Sequence, residues 1–216
     1  MARLTLDISI SLDGFVAGPE QTLEEPLGRG GDLLHEWALA TAAFQEMHGR
    51  SGGQRNVDDG LIREHFAAVG ATIMGRRMFS GGEGPWEQDP NADAWWGDEP
   101  PFHHPVFVLT RHAREPLAKE GTTFTFVTDG IESALEQARA VAGEKDVTIG
   151  GGGSVAAQYL RAGLLDELQL HVVPALLGDG VRLFSDHVGN APVALECTRV
   201  VESPTGVTHV RYRVAR

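Results

Sequence analysis

Apolar and polar positions alternate from the start of the chain. Leu4, Leu6, Ile8 and Ile10 are interleaved with Thr5, Asp7 and Ser9. A period of two puts one set on one face, so a strand is expected. Residues 11–31 are rich in Gly, Pro and Glu and read as loop. In residues 32–48, Leu33, Trp37, Ala40 and Phe44 fall at helical spacing, and Gly49, Gly52 and Gly53 end the run. A second helix is predicted from Asp58 to Val69 on the stripe Ile62, Phe66 and Val69, with Gly70 as its left-handed terminating residue. Ala71–Met74 reads as a short buried strand, and Val106–Leu109 and Phe124–Val127 as further strands, of which Val106–Leu109 is apolar throughout, as expected for a strand covered on both faces. Between them, residues 81–104 form a long acidic loop holding Trp86, Trp95 and Trp96.

Asp129 and Glu132 have the spacing of a capping box before the stripe Ile131, Leu135, Ala138 and Ala142. Val147–Gly150 reads as a strand. A helix opens at Gly151–Gly153 and runs to Arg161, with Gly163 beyond it. Leu168, Leu170 and Val172 alternate along another strand. The last two strands, 193–201 and 207–214, meet at the turn Pro204-Thr205-Gly206. Strand–helix–strand units favour parallel pairing and the final hairpin must be antiparallel. The expected fold is a single α/β domain: one mixed, mostly parallel sheet with helices on both faces.

A hydrophobic share of 42% over 216 residues is enough for one sizeable core. A net charge of −12 argues against a nucleic-acid partner, which needs clustered Lys and Arg. No stretch resembles a signal peptide or a membrane span, so a cytoplasmic protein is expected. One cysteine, Cys197, rules out an intrachain disulfide. Its place in a strand beside Val193 and Leu195 suggests packing. Among nine histidines, His103-His104 lacks a spaced third ligand and His35-Glu36 lacks the second His of a zinc-protease helix, so no metal site is expected.

Three strand ends could hold phosphates. Val147-Thr148-Ile149 leads into Gly150–Gly153, then Ser154 and Val155. Four glycines let a diphosphate approach the backbone, where helix N–H groups can bind it; a tight strand-to-helix turn is the plainer alternative. Met74-Gly75-Arg76-Arg77 places two guanidinium forks after a buried strand, unless they are a solvated helix start. Leu109-Thr110-Arg111 offers a hydroxyl and a guanidinium in an equivalent position.

These segments carry a resemblance. Ser11-Leu12-Asp13-Gly14-Phe15-Val16-Ala17 resembles the first-strand signature of the dihydrofolate reductase-like group, in the branch of the riboflavin-biosynthesis reductase domain. Met74–Arg77, the run Ile149–Gly153, Gln158-Tyr159-Leu160, Gly163–Leu168 and Gly178-Asp179-Gly180 before Leu183-Phe184 are similar to later parts of that pattern. The resemblance implies a dihydrofolate reductase-like three-layer sandwich, a homodimer and bound NADPH. Gly151, Gly152 and Gly153 would hold the diphosphate, helped by Ser154 and Val155. Gly75, Arg76, Arg77, Met78, Leu109, Thr110 and Arg111 would hold the adenosine and 2′-phosphate end, and Ala17 would border the nicotinamide. The implied activity resembles that of a 5-amino-6-(5-phosphoribosylamino)uracil reductase: hydride transfer to a small planar heterocycle or its ribosyl derivative, with Phe15 and Trp86 toward the substrate. A genuine dihydrofolate reductase and a non-catalytic nucleotide-binding homodimer are the alternatives.

The sequence departs from the folate-reducing pattern at Met78, where those enzymes have Thr, and at Ala156, where they often have an aromatic residue. The acid on their first helix does not align cleanly. Asp13, Asp32 and Glu36 are the catalytic candidates, against plainer roles as a turn residue, a helix cap and an exposed charge.

Overall fold

The computed structural model describes residues 2–184 and 192–215. In chain order the elements are β1 (Leu4–Ser11), β2 (Phe15–Ala17), a 3-10 turn (Gly31–Leu34), α1 (Glu36–Leu39), α2 (Ala42–Met47), α3 (Val57–Ala68), β3 (Val69–Gly75) and α4 (Arg76–Ser80). A 3-10 turn (Trp86–Gln88) precedes β4 (Val106–Leu109), β5 (Leu117–Lys119), β6 (Thr122–Val127), α5 (Ile131–Ala142), β7 (Asp146–Gly151) and α6 (Gly153–Arg161). The chain closes with β8 (Glu167–Val173), β9 (Val181–Arg182), β10 (Leu195–Glu202) and β11 (Thr208–Val214).

These elements form two compact units. The first holds Met1–Thr5 and Val69–Leu165; the second holds Leu6–Ala68 and Asp166–Arg216. The chain crosses between them inside β1, at the α3–β3 junction and before β8, so no linker marks the division. In the first unit the strand order is β1-β7-β3-β4-β6-β5. β7, β3, β4 and β6 are parallel, and β5 is antiparallel to β6. Val106 and Val108 of β4 point into a cluster with Met74, Phe79 and Phe124. By alternation Phe107 points the other way, toward the face on which α5 packs. In the second unit the order is β10-β11-β8-β1, with β10, β11 and β8 successively antiparallel. Leu34, Trp37, Ala43, Ile62, Val173 and Val207 form its core.

Several expectations are corrected. The helix predicted over 32–48 is broken into a 3-10 turn, α1 and α2. The break is at Ala40–Thr41, where Gln54 N–H donates to the Ala40 carbonyl at 2.7 Å and Ala42 N–H to that of Gln54 at 2.9 Å. Thr41 then caps α2 by accepting from Phe44 N–H, and buried Asp59 accepts from Ala43 N–H at 2.6 Å. Gly70 ends no helix: it lies in β3, where a Cβ would stand 2.6 Å from the Ala142 carbonyl oxygen. The capping box is absent. Gly130 caps α5 without a side-chain bond, while Asp129 accepts from Thr128 Oγ1. Cys197 is exposed, because β10 is an edge strand with little cover on either face. Strands β2, β5 and β9 span two or three residues, too few to show a period.

Candidate functional site

Strand order in the first unit puts the three phosphate-compatible strand ends in a row. Met74 of β3 stands opposite Gly151 of β7, and Gly75 opposite Leu109 of β4. The β3–β7 register shifts between Ile73 and Met74, which leaves Gly150 extra. A Cβ on Gly150 would lie 2.8 Å from Thr72 Cγ2, so the strands close up only because that atom is missing. The Gly151–Gly152 peptide is cis. Gly152 is exposed, with nothing within 4 Å of where its Cβ would be. No side chain caps α6, whose first amides have no intrahelical partner. The result is a bare backbone corner with N–H donors and the positive end of a nine-residue helix, which suits a diphosphate. Exposed Ser154 borders it. Val155 is buried and packs toward Gly75, with its Cγ2 3.1 Å from that residue's absent Cβ, while Met78 lies beside Gly151.

The two adjacent arginines have opposite environments. Arg76 is buried, ion-paired with Asp89, hydrogen-bonded to Ser80, and has its guanidinium carbon 3.6 Å from the centre of the Trp86 ring. Burial pushes the Asp89 carboxyl up, but bonds from Ser80 Oγ, Asn91 N–H and Arg76 outweigh it and hold the group below the usual carboxylate range. Arg77 is exposed and pairs with the equally exposed Glu83. Arg111, after β4, is exposed too, whereas Thr110 Oγ1 accepts from His112 N–H at 3.1 Å. The exposed guanidinium groups of this edge are therefore Arg77 and Arg111, and Arg76 is a strut. Trp86 belongs to the same strut. The guanidinium carbons of Arg76 and Arg114 lie 3.6 and 4.7 Å from its ring centre, and its Nε1 donates to the His112 carbonyl at 2.8 Å.

The second unit holds the remaining candidates. Asp13 accepts from Ser11 Oγ at 2.6 Å, Leu177 N–H at 3.2 Å and Gly178 N–H at 2.7 Å. The Ser11 bond, followed by those two amides, outweighs desolvation and lowers its pKa to about 2. Committed to three donors, it staples the turn after β1 to the loop after β8. Phe15 is buried beneath the Arg182 guanidinium at 4.2 Å, and Ala17 is buried and paired with Val181 of β9. Asp32 and Glu36 are exposed. Gly30, not Asp32, occupies the cap position of the first 3-10 turn.

Strand alternation alone does not single out the densest polar cluster of this unit. His171 of β8 and His209 of β11 face each other through Nδ1 at 2.6 Å. His171 Nε2 lies 2.8 Å from Asp7 Oδ1, and His209 Nε2 lies 2.9 Å from Asp58 Oδ1. Trp37 covers both rings, with centroids 4.4 and 5.1 Å away, and donates through Nε1 to Ser9 Oγ. Among the described residues, no group of three or more His, Cys, Asp or Glu could hold a metal ion, and no helix is long and apolar enough to cross a membrane.

Comparison with solved structures shows a dihydrofolate reductase-like fold. A protein assigned to riboflavin biosynthesis in Shewanella sp. PV-4 matches over all of both chains with a TM-score of 0.65 and 22% identity. Dihydrofolate reductase from Enterococcus faecalis, complexed with NADP(H), matches with a TM-score of 0.53 and 14% identity over 99% of this chain and 97% of that one. The riboflavin biosynthesis reductase Rib7 of Saccharomyces cerevisiae matches with a TM-score of 0.52 and 14% identity, covering 100% and 89%. In sequence, the uncharacterised protein YyaP of Bacillus subtilis is 24% identical over 213 residues, 97% of this chain and 94% of YyaP. The family model of the RibD C-terminal domain matches residues 2–209, taking in the glycine corner, the arginine pair and both partners of the histidine cluster. The chain thus belongs to the RibD C-terminal domain family, a group of the riboflavin-reductase type.

Proposed function

We propose that the protein is an NADPH-dependent reductase acting on a small planar heterocycle or its ribosyl derivative. The observation that carries this reading is the bare corner at Gly151–Gly153, open at Gly152 and backed by the start of α6. It fits a diphosphate, and the family match and reductase neighbours supply the class of chemistry. Backbone N–H groups of Gly152, Gly153 and Ser154 would hold the diphosphate. Arg77 and Arg111 would hold the 2′-phosphate end, beside Thr110. Ala17, whose turn is fixed by Asp13, would border the nicotinamide. The cofactor, when bound, supplies the hydride. The chain supplies alignment, and Asp13, already ionised and saturated with donors, serves as a positioning group rather than an acid. The substrate class follows solved neighbours such as the Thermotoga maritima deaminase/5-amino-6-(5-phosphoribosylamino)uracil reductase.

Cofactor titration tests the reading. NADPH should bind more tightly than NADH. Gly152→Ala should lose affinity about tenfold or more while the melting temperature stays within a few degrees, since the new methyl meets no protein atom. Unchanged NADPH affinity in Gly152→Ala, with the fold intact, would overturn the diphosphate assignment. A screen of pterins and flavin precursors for NADPH oxidation then addresses the substrate.

A further inference from the structure

The histidine cluster of the second unit carries a proton count. Each ring directs Nε2 at a carboxylate, His171 at Asp7 and His209 at Asp58, and both bonds need a hydrogen on nitrogen. Asp58 is an acceptor on its other oxygen as well, taking Ser203 Oγ at 2.8 Å and, more loosely, Asn56 Nδ2 and Thr205 Oγ1. The two Nδ1 atoms are 2.6 Å apart and buried. Two lone pairs cannot face each other at that distance, and two N–H groups cannot either. One hydrogen must lie between them, which gives three protons on four nitrogens and a net charge of +1 for the pair.

The surroundings suit that charge. Asp7 and Asp58 flank it, and Trp37 lays its ring over His171. Other ionisable groups around it are His65 and Glu64 of α3, Arg211 of β11, Glu167 of β8, and His35, which precedes α1. Asp7 resists protonation. Burial alone would raise its pKa, but the charges of His65 and His171 and the bond from His171 hold it far below the usual range. Burial holds His209 below the ordinary histidine value despite its bond to Asp58.

We propose that His171 and His209 form a buried imidazole–imidazolium pair around one resident proton, and that this proton clasps β8 and β11 to Asp7 of β1 and Asp58 of α3. In excess of two neutral rings, the unfolded chain carries two protons at these positions below about pH 6.5 and none above it, whereas the folded pair keeps one. On the acid side the unfolded state binds more protons, so stability falls as pH drops. On the alkaline side the folded state binds more, so stability falls as pH rises. The contribution is tent-shaped, peaks near pH 6.5, and changes the folding equilibrium by up to about tenfold per pH unit on each side.

Two measurements on the full chain test this. In 15N-histidine-labelled protein at pH 7–8, long-range 1H–15N spectra should show one ring with both nitrogens protonated, its partner neutral, and a strongly downfield shared N–H. Two neutral rings that titrate independently near pH 6.5 would overturn the proposal. So would a downfield proton assigned to Asp58, which would make the pair neutral. Denaturant unfolding from pH 5 to 8 should show the tent in the wild type, flattened in His209→Gln, where the remaining amide still reaches Asp58 but does not titrate. An unchanged profile in that variant refutes the clasp. If the variant does not fold, the wild-type spectra decide alone.

Discussion

Replacing Arg76 with Ala should unfold the protein more readily without a direct effect on the cofactor edge. Arg76 is 7% exposed and Asp89 1%, so deletion leaves a carboxylate buried beside an empty space. Breaking a buried pair from one side costs about 3–5 kcal/mol. Asp89 keeps the Ser80 hydroxyl at 2.7 Å and the Asn91 N–H at 2.8 Å, which argues for the low end. Loss of the guanidinium from the Trp86 face removes about 1–2 kcal/mol more. A net loss of about 4–5 kcal/mol is expected, or ~8–20 °C in melting temperature for a chain of this size. Guanidinium unfolding of wild type, Arg76→Ala, Asp89→Leu and the double variant Arg76→Met/Asp89→Leu gives the measurement. The double variant should be markedly more stable than the sum of the single losses, because an apolar pair of similar volume replaces the ions. If Arg76→Ala unfolds within ~0.5 kcal/mol of wild type, the strut assignment is wrong and the guanidinium is free for another role.

Arg77→Ala and Arg111→Ala should each weaken NADPH binding about five- to tenfold, leave NADH binding within about a factor of two, and leave the melting temperature unchanged, as read by fluorescence titration and thermal scans. Asp13→Asn should remove amide-exchange protection at Leu177 and Gly178 while that of Ile73 and Ile149 persists. Because the folded-state pKa of Asp13 is lowered to about 2, its contribution is present above the unfolded carboxylate value of about 4 and is lost as pH falls through about 2. Acid titration of wild type against Asp13→Asn should show that difference fade. Cys197 should react with a thiol reagent in the native protein at the rate of an exposed cysteine, and Cys197→Ser should shift stability by less than about 0.5 kcal/mol.

Local chemistry made much of this legible. The alternation in β1, the apolar run of β4 and the glycines after β7 each report a demand met within a few residues. What sequence could not supply were facts fixed by distant partners. Arg76 and Arg77 are chemically identical, and only Asp89, thirteen residues on, separates buried from exposed. Ala40 continues a helical stripe, but Gln54 takes its carbonyl and the N–H of Ala42. Leu195 and Cys197 alternate as a core face would, yet β10 lies at a sheet edge. Asp7 and His171 lie between apolar residues in their strands, His209 lies between Thr208 and Val210, and all three read as a solvated face. Helix α3 covers that face, with Asp58 reaching His209 across 151 positions of sequence, and Trp37 lies against both rings.

The division of labour at the start of α4 has a consequence for engineering. Neighbouring helical residues point about 100° apart, so one Arg-Arg dipeptide delivers an inward brace and an outward cation. On the cofactor reading proposed above, switching between phosphorylated and unphosphorylated nicotinamide carriers would be a surface redesign at Arg77 and Arg111. A library that randomises both members of the dipeptide would mostly collect misfolded clones, and one that spares Arg76 would sample cofactor choice alone.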